Sequence, residues 1–497
     1  MRACIFFALC LLPLTAACPP AVEPDPDPEP VCVDDDACVV RCGSAVDACD
    51  TEVDCGPCRD EATLNALRQT ADEALSLWLD NGYMQDVIDV DLDALRLGID
   101  ERLQFDPGTD DQALLRALWF AGSSLRNGHS GVYRTDVSCS ELGGADVGAS
   151  AFGWCAAPAG DGFVVQSAAV ANPGPALVAG DHIVAVNGLR GVALVDFLLD
   201  QPLCGSTPTH AAGRQDTAAA ALFSVLRPGD VLEVEGADGP RTVTLTEADE
   251  RPLASCRDFR TPFLTTTVRD DNVAVLRLTR FILFEGEEGY VRVVTNEDAE
   301  QLIGNMIGII RAALDDLPDT VRGVVWDARG NIGGASPVGF AIAAGMRGHR
   351  DVHIADCTSR VAGTDPIEYF VGGPFYTVPA DDRLVVDLPA AVLIDGLAVS
   401  AADYFARAVK LATDVPIFGR APVGGYGGGG LGEPLPSAPN LYIAYDPFRC
   451  NDDSGAPLET NPTAPDFLLD QDPADTRAGI DTVLEAAVAH VLDDAAP

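Results

Sequence analysis

At 497 residues, with 47% hydrophobic and 22% charged content, the chain has the make-up of a globular protein too long for one small domain. Its 76 acidic and 32 basic residues give a formal charge of −44, which repels nucleic acid and anionic headgroups and excludes nucleic-acid binding as a first function. The acids are spread along the whole length, which suits a salty milieu and says nothing about substrate.

Residues 1–17 read as a secretory signal: Arg2, an apolar run from Ile5 to Leu12, then Leu14-Thr15-Ala16-Ala17 before Cys18. Cys18 is the expected lipidation site. Thr15 stands where the lipid-attachment pattern favours Leu, so simple cleavage near Ala17 is the alternative. No other apolar run approaches the ~20 residues of a membrane span, so anchoring would be by lipid alone. This places the protein outside the cytoplasm, on the periplasmic or cell-surface side, with the outer membrane as the expected anchor. Residues 18–31 alternate proline with acid and form an extended, self-repelling spacer.

Of 15 cysteines, removing Cys4, Cys10 and Cys18 leaves twelve, an even number that suits disulfides in an oxidising compartment. Six of them (Cys32, Cys38, Cys42, Cys49, Cys55 and Cys58) crowd into residues 32–59, a block too small to bury a core without staples. No histidine lies near them, so disulfides are preferred to zinc. The other six, Cys139, Cys155, Cys204, Cys256, Cys357 and Cys450, are dispersed.

Over residues 60–135 the pattern is helical, with Leu64, Leu67, Ala71, Leu75 and Trp78 on one face and Leu114, Leu115, Leu118 and Trp119 on another. This predicts a helical N-terminal cap. It ends at Gly128-His129-Ser130, where a lone histidine reads by itself as a helix-end or surface residue. Residues 150–250 alternate as strands, notably Ile183–Val186, Val231–Val234 and Thr242–Leu245. Residues 260–495 alternate strands with helices, giving a multi-domain α/β expectation.

Two stretches of this last region carry chemistry. Val321–Trp326 is a buried-strand run entering Asp327-Ala-Arg-Gly-Asn-Ile-Gly-Gly334. That turn lacks the G-K-[ST] ending of a P-loop and the G-x-G-x-x-G spacing of a dinucleotide site, and neither a cofactor nor a metal is expected. Ala391–Ile394 is a second buried strand, and apolar spacing from Ala401 to Leu411 is helical, so Ser400 falls at a strand-to-helix junction. Two readings stay open there: Ser400-Ala401-Ala402-Asp403 is a good capping box, and a serine at a helix start is also well placed as a nucleophile with the Ala401 amide near an oxyanion.

Ser400-Ala-Ala-Asp403, followed by an apolar helix and Ile417-Phe-Gly419, resembles the nucleophile segment of the C-terminal processing (tail-specific) serine peptidases, with Asp403 replacing the usual Glu. Asp327–Gly334 resembles that family's segment lending an amide to the oxyanion hole, which implies Gly333 or Gly334 as donor beside Ala401. Pro175–Gly188 resembles part of a PDZ module, implying a PDZ-like β-domain that binds peptide ends by strand addition. The resemblance also implies a crotonase-like core. Many members use a lysine about 25 residues after the serine, but Gly425 stands there. The single lysine, Lys410, is ten residues along the helix, about 15 Å away. The tricorn-like branch instead uses Ser, His and Glu, which the resemblance places on Ser400, His129 and Glu459, the last in an E-x5-P-D spacing with Pro465-Asp466. The expectation is a lipid-anchored serine endopeptidase acting on unfolded or tail-exposed polypeptides. Its alternative is a catalytically silent relative that binds peptides or ligands.

Overall fold

The computed structural model describes residues 58–82, 90–134, 152–166, 177–204, 208–246, 261–361, 384–428 and 432–495, with short stretches at 44–46, 52–54, 136, 144–145, 147, 149–150, 254–256, 369–371 and 376–378. The signal segment, Cys18, the proline-acid spacer and Cys139 lie outside the described residues. Residues 1–58 form one unit, in which Ser44–Val46 and Glu52–Asp54 pair as an antiparallel hairpin. Residues 59–497 form a second unit, mixed α/β and layered.

At the centre of the second unit is a six-stranded sheet. Leu264–Val268 lies antiparallel at one edge, followed by the parallel strands Val273–Leu278, Gly323–Asp327, Ala390–Ile394, Ile417–Gly419 and Phe467–Leu468. The middle strands are buried at every position, which is why they read as continuous apolar runs rather than alternating ones. Their side chains still alternate between faces. Val324, Trp326, Val392 and Ile394 pack with the helices Asn296–Asp315, Ser336–Ala344 and Ala401–Ala412. Val325, Ala391 and Leu393 pack against Val483, Ala487 and Val491 of the helix Thr482–Asp494.

Residues 61–124 form the expected helices, at Glu61–Asn81, Leu92–Phe105 and Asp110–Ser124. Their apolar faces meet one another and a three-stranded sheet made of Gly131–Arg134, Ala438–Ala444 and Glu433–Leu435. The chain thus returns more than 300 residues later to complete this layer. A five-stranded antiparallel sheet spans Cys155–Thr244 and packs on helices Gly191–Leu199 and Ala211–Val225. The second helix reaches the parallel sheet through a buried ion pair, Asp216 with Arg420 at 2.7 Å.

Between described residues, two disulfides join dispersed cysteines. Cys155 bonds Cys256, and Cys357 bonds Cys450 directly across an antiparallel pair of strands. Cys204 is also disulfide-bonded. Alkylation of the denatured, unreduced protein should therefore detect almost no free thiol among Cys155, Cys204, Cys256, Cys357 and Cys450, and modification of several of them would contradict this arrangement.

Candidate active site

Ser400 follows the strand Ala390–Ile394 and immediately precedes the helix Ala401–Ala412. Its backbone sits at φ 64° and ψ −120°, and its side chain makes no capping bond. A non-glycine residue in that region costs about 1–3 kcal/mol, strain that clusters at functional sites. Ser400 thus stands at the N-cap position without its side chain capping the helix. The turn is lashed in place from below: Asp395 accepts the amides of Gly330 (2.7 Å) and Leu397 (3.1 Å), and the Val399 amide donates to the Asn331 carbonyl at 2.9 Å.

Asn331, fully buried, ties the two chemical stretches together. Its Nδ2 donates to the Leu278 carbonyl at 3.0 Å and its Oδ1 accepts the Gly333 amide at 2.8 Å. Gly333 has φ 83°, and a Cβ there would lie 2.6 Å from the Ser400 Cβ, so only glycine permits this approach. Because the Gly333 amide is taken by Asn331, Gly334 and Ala401 are the better placed of the three residues named for an oxyanion hole. Ala401 is the first helical residue, where an amide has no intrahelical acceptor. The loop is further held by Asp327. Burial alone would raise its pKa, but the guanidinium groups of Arg329 and Arg277 hold it far below the usual carboxylate range. Arg329 also bridges to Asp481 at 2.8 Å.

Asp403, on the first turn of the Ser400 helix, is fully buried and turns toward the Gly-rich loop. Its two oxygens accept the amides of Gly424 (2.7 Å) and Gly425 (3.1 Å). Burial pushes its carboxyl up to about 7, against those amides and His129, which favour the charged form. In the unfolded chain an aspartate titrates near 3.9. Between these values the folded state holds the proton more tightly, so this group's contribution to stability falls as pH rises from about 4 to 7, by on the order of 4 kcal/mol, and is level outside that window. Asp403→Asn should therefore gain on the wild type across that range in urea unfolding, and a constant difference would refute the assignment.

His129 reaches the site from the other end of the chain. Its amide donates to Asn127 Oδ1 at 2.7 Å, and its ring lies beside Gly425, where an added Cβ would sit 3.3 Å from Cε1 and 3.0 Å from Val399 Cγ2. Gly425 thus stands between the histidine and the residue preceding Ser400. Neither ring nitrogen makes a hydrogen bond. The carboxylate facing Nδ1 is that of Asp446, with Oδ2 at 3.4 Å. Glu459 is buried nearby, accepts from Asn127 Nδ2 at 3.3 Å, and backs onto Gly424, where a Cβ would meet its carbonyl at 2.7 Å.

The structure thus gathers Ser400, Ala401, Gly333, Gly334, His129 and Glu459 around the 423–428 loop. Asn127, Asn331 and Asp446 were not singled out from the sequence. Asn331 belonged to the Gly-rich motif, whereas nothing local marked the other two. A cavity of about 170 Å³ lined by Trp119, His129, Tyr133 and Ala444 opens beside the histidine. A larger one of about 460 Å³, lined by Gln166, Arg277, Leu397 and Arg420 among others, includes neither Ser400 nor His129.

Residues 272–469, which contain every one of these groups except Asn127 and His129, match the model of peptidase family S41. Those residues thus carry a peptidase family S41 domain. The protein is a serine-type peptidase, and polypeptides are its substrates. Among solved structures, mature CPAF is similar with TM-score 0.61 at 14% identity, over 88% of this chain and 98% of that one. Mature CPAF complexed with lactacystin gives TM-score 0.60 at 13%, over 88% and 99%. At such identity the likeness of this chain to them is one of fold. A photosystem II D1 C-terminal processing protease matches more distantly, with TM-score 0.39 at 17% identity over 88% and 99%. No curated protein sequence matches the chain.

Proposed function

We propose that this S41 peptidase is an exported, lipid-anchored endopeptidase that cuts unfolded or tail-exposed polypeptides, with Ser400 as nucleophile and His129 as general base. The observation that carries the reading is the positive φ of Ser400, whose side chain makes no capping bond and whose Cβ lies close against Gly333. His129 takes the Ser400 proton as the acyl-enzyme forms and returns it to the leaving amine. The tetrahedral oxyanion is met by the amides of Ala401 and Gly334. Glu459 is the third member, acting on the histidine's backbone through Asn127. The five-stranded sheet at Cys155–Thr244 serves as a PDZ-like module that receives the substrate's tail. Cys18 carries the lipid, on the periplasmic or cell-surface side of the outer membrane.

The second reading is a silent, peptide-binding relative, and it is favoured by the lack of any hydrogen bond at the His129 ring. Catalytic hydrogen bonds are often long without substrate. Labelling with a fluorophosphonate, together with hydrolysis of a denatured protein substrate, separates the two. Stoichiometric labelling at Ser400 supports the peptidase mechanism; a folded protein that neither labels nor cleaves supports the silent relative.

A further inference from the structure

The carboxylate that orients the catalytic histidine is assigned by strand register. Gly131–Arg134 pairs antiparallel with Ala438–Ala444, matching Val132 with Ile443 and Gly131 with Ala444. Continued two residues past the end of the ladder, the same register sets Asp446 opposite His129. Residues opposed in this way bring their Cβ atoms within about 5 Å. Asp446 is completely buried, and its Oδ2 lies 3.4 Å from His129 Nδ1. Both atoms are buried, and neither has a hydrogen-bond partner. Leaving two such groups unsatisfied is costly, and one hydrogen bond between them would satisfy both at once.

The surroundings are shaped around this carboxylate. The Phe448 amide donates to Oδ1 at 2.9 Å, which leaves Oδ2 for the histidine. At Gly427 a Cβ would fall 1.7 Å from Oδ2 and 1.9 Å from Oδ1, so the Gly-rich loop closes over Asp446 only because residue 427 lacks a side chain.

We propose that Asp446 is the positioning residue for His129: Oδ2 accepts the Nδ1 proton, which leaves Nε2 unprotonated as the base for Ser400 and stabilises the imidazolium once the proton has moved. Glu459 then acts one step further out, through Asn127. The inference rests on the reading of His129 as the base.

The test compares Asp446→Asn with Asp446→Ala and Glu459→Gln in the full chain. In Asp446→Asn the Phe448 amide keeps the side-chain oxygen, so the NH2 group takes the place of Oδ2 and donates to Nδ1. That drives the ring proton onto Nε2, the wrong tautomer. kcat/KM should fall by about 10⁴ while the unfolding temperature stays near that of the wild type, and Asp446→Ala, although less stable, should be no less active than Asp446→Asn. A merely structural aspartate gives the opposite order, with the isosteric Asn milder than Ala in both activity and stability, and that order would overturn the proposal. So would a loss confined to Glu459→Gln. Failure of the underlying reading looks different: His129→Ala would then retain activity, whatever the Asp446 variants do.

Discussion

Replacing Ser400 by alanine should lower kcat on an unfolded polypeptide by about 10⁶, the scale seen when a triad nucleophile is removed, and should abolish fluorophosphonate labelling. Ser400→Gly should be equally inactive yet more stable than both Ser400→Ala and the wild type. The reason is local. At φ 64° and ψ −120° any side chain is strained by about 1–3 kcal/mol. Alanine keeps that strain, whereas glycine relieves it and returns only about 0.5–1 kcal/mol as extra freedom of the unfolded chain. A net gain of roughly 1 kcal/mol should be visible as a rise of about one degree in unfolding temperature. A Gly variant less stable than the Ala variant would mean that Ser400 carries no such strain, and the best structural argument for a presented nucleophile would be lost.

This opposition of stability and function also shows what the sequence could reveal. The strands Val273–Leu278 and Ala390–Ile394 and the helix from Ala401 to Ala412 were legible because burial on both faces, or on one stripe, writes itself into local periodicity. The strain at Ser400 was not legible, since Ser-Ala-Ala-Asp is equally good as a capping box. What decides between the two is the tether from Asn331 and the turning of Asp403 toward Gly424 and Gly425, contacts between segments that local pattern does not report.

The histidine illustrates the same limit. Composition and spacing alone made His129 a helix-end residue, and only resemblance to the tail-specific peptidases raised it to a candidate base. Asp446 had no signal at all, because its position follows from pairing two strands some 300 residues apart. In the sequence Gly425 stands out only for the lysine it lacks. In the structure its lack of a side chain has a positive use, since the imidazole occupies the adjacent space. The lack of a lysine at 425 and the seat of the imidazole beside it are thus two aspects of one packing choice. The Gly-rich loop keeps close to Asp403, Glu459, Asp446 and His129 together, and a larger residue at 424, 425 or 427 would displace at least one of them.

His129→Ala should cost about as much as Ser400→Ala, near 10⁶ in kcat, and the double variant Ser400→Ala/His129→Ala should be little worse than either single one. On the proposed mechanism the two residues perform one event. Without the imidazole the hydroxyl keeps its proton and is a weak nucleophile, and without the hydroxyl the imidazole has no proton to accept. What remains in all three variants is the contribution of binding and of the Ala401 and Gly334 amides, which ought to leave the same residual rate of about 10³–10⁴ over water. His129 is held by its backbone through Asn127, a contact that alanine keeps, so the substitution should leave the protein folded by near-ultraviolet circular dichroism. Losses that multiply in the double variant, with all three proteins folded, would mean that serine and histidine act independently, and the assignment of His129 as the base for Ser400 would have to be withdrawn.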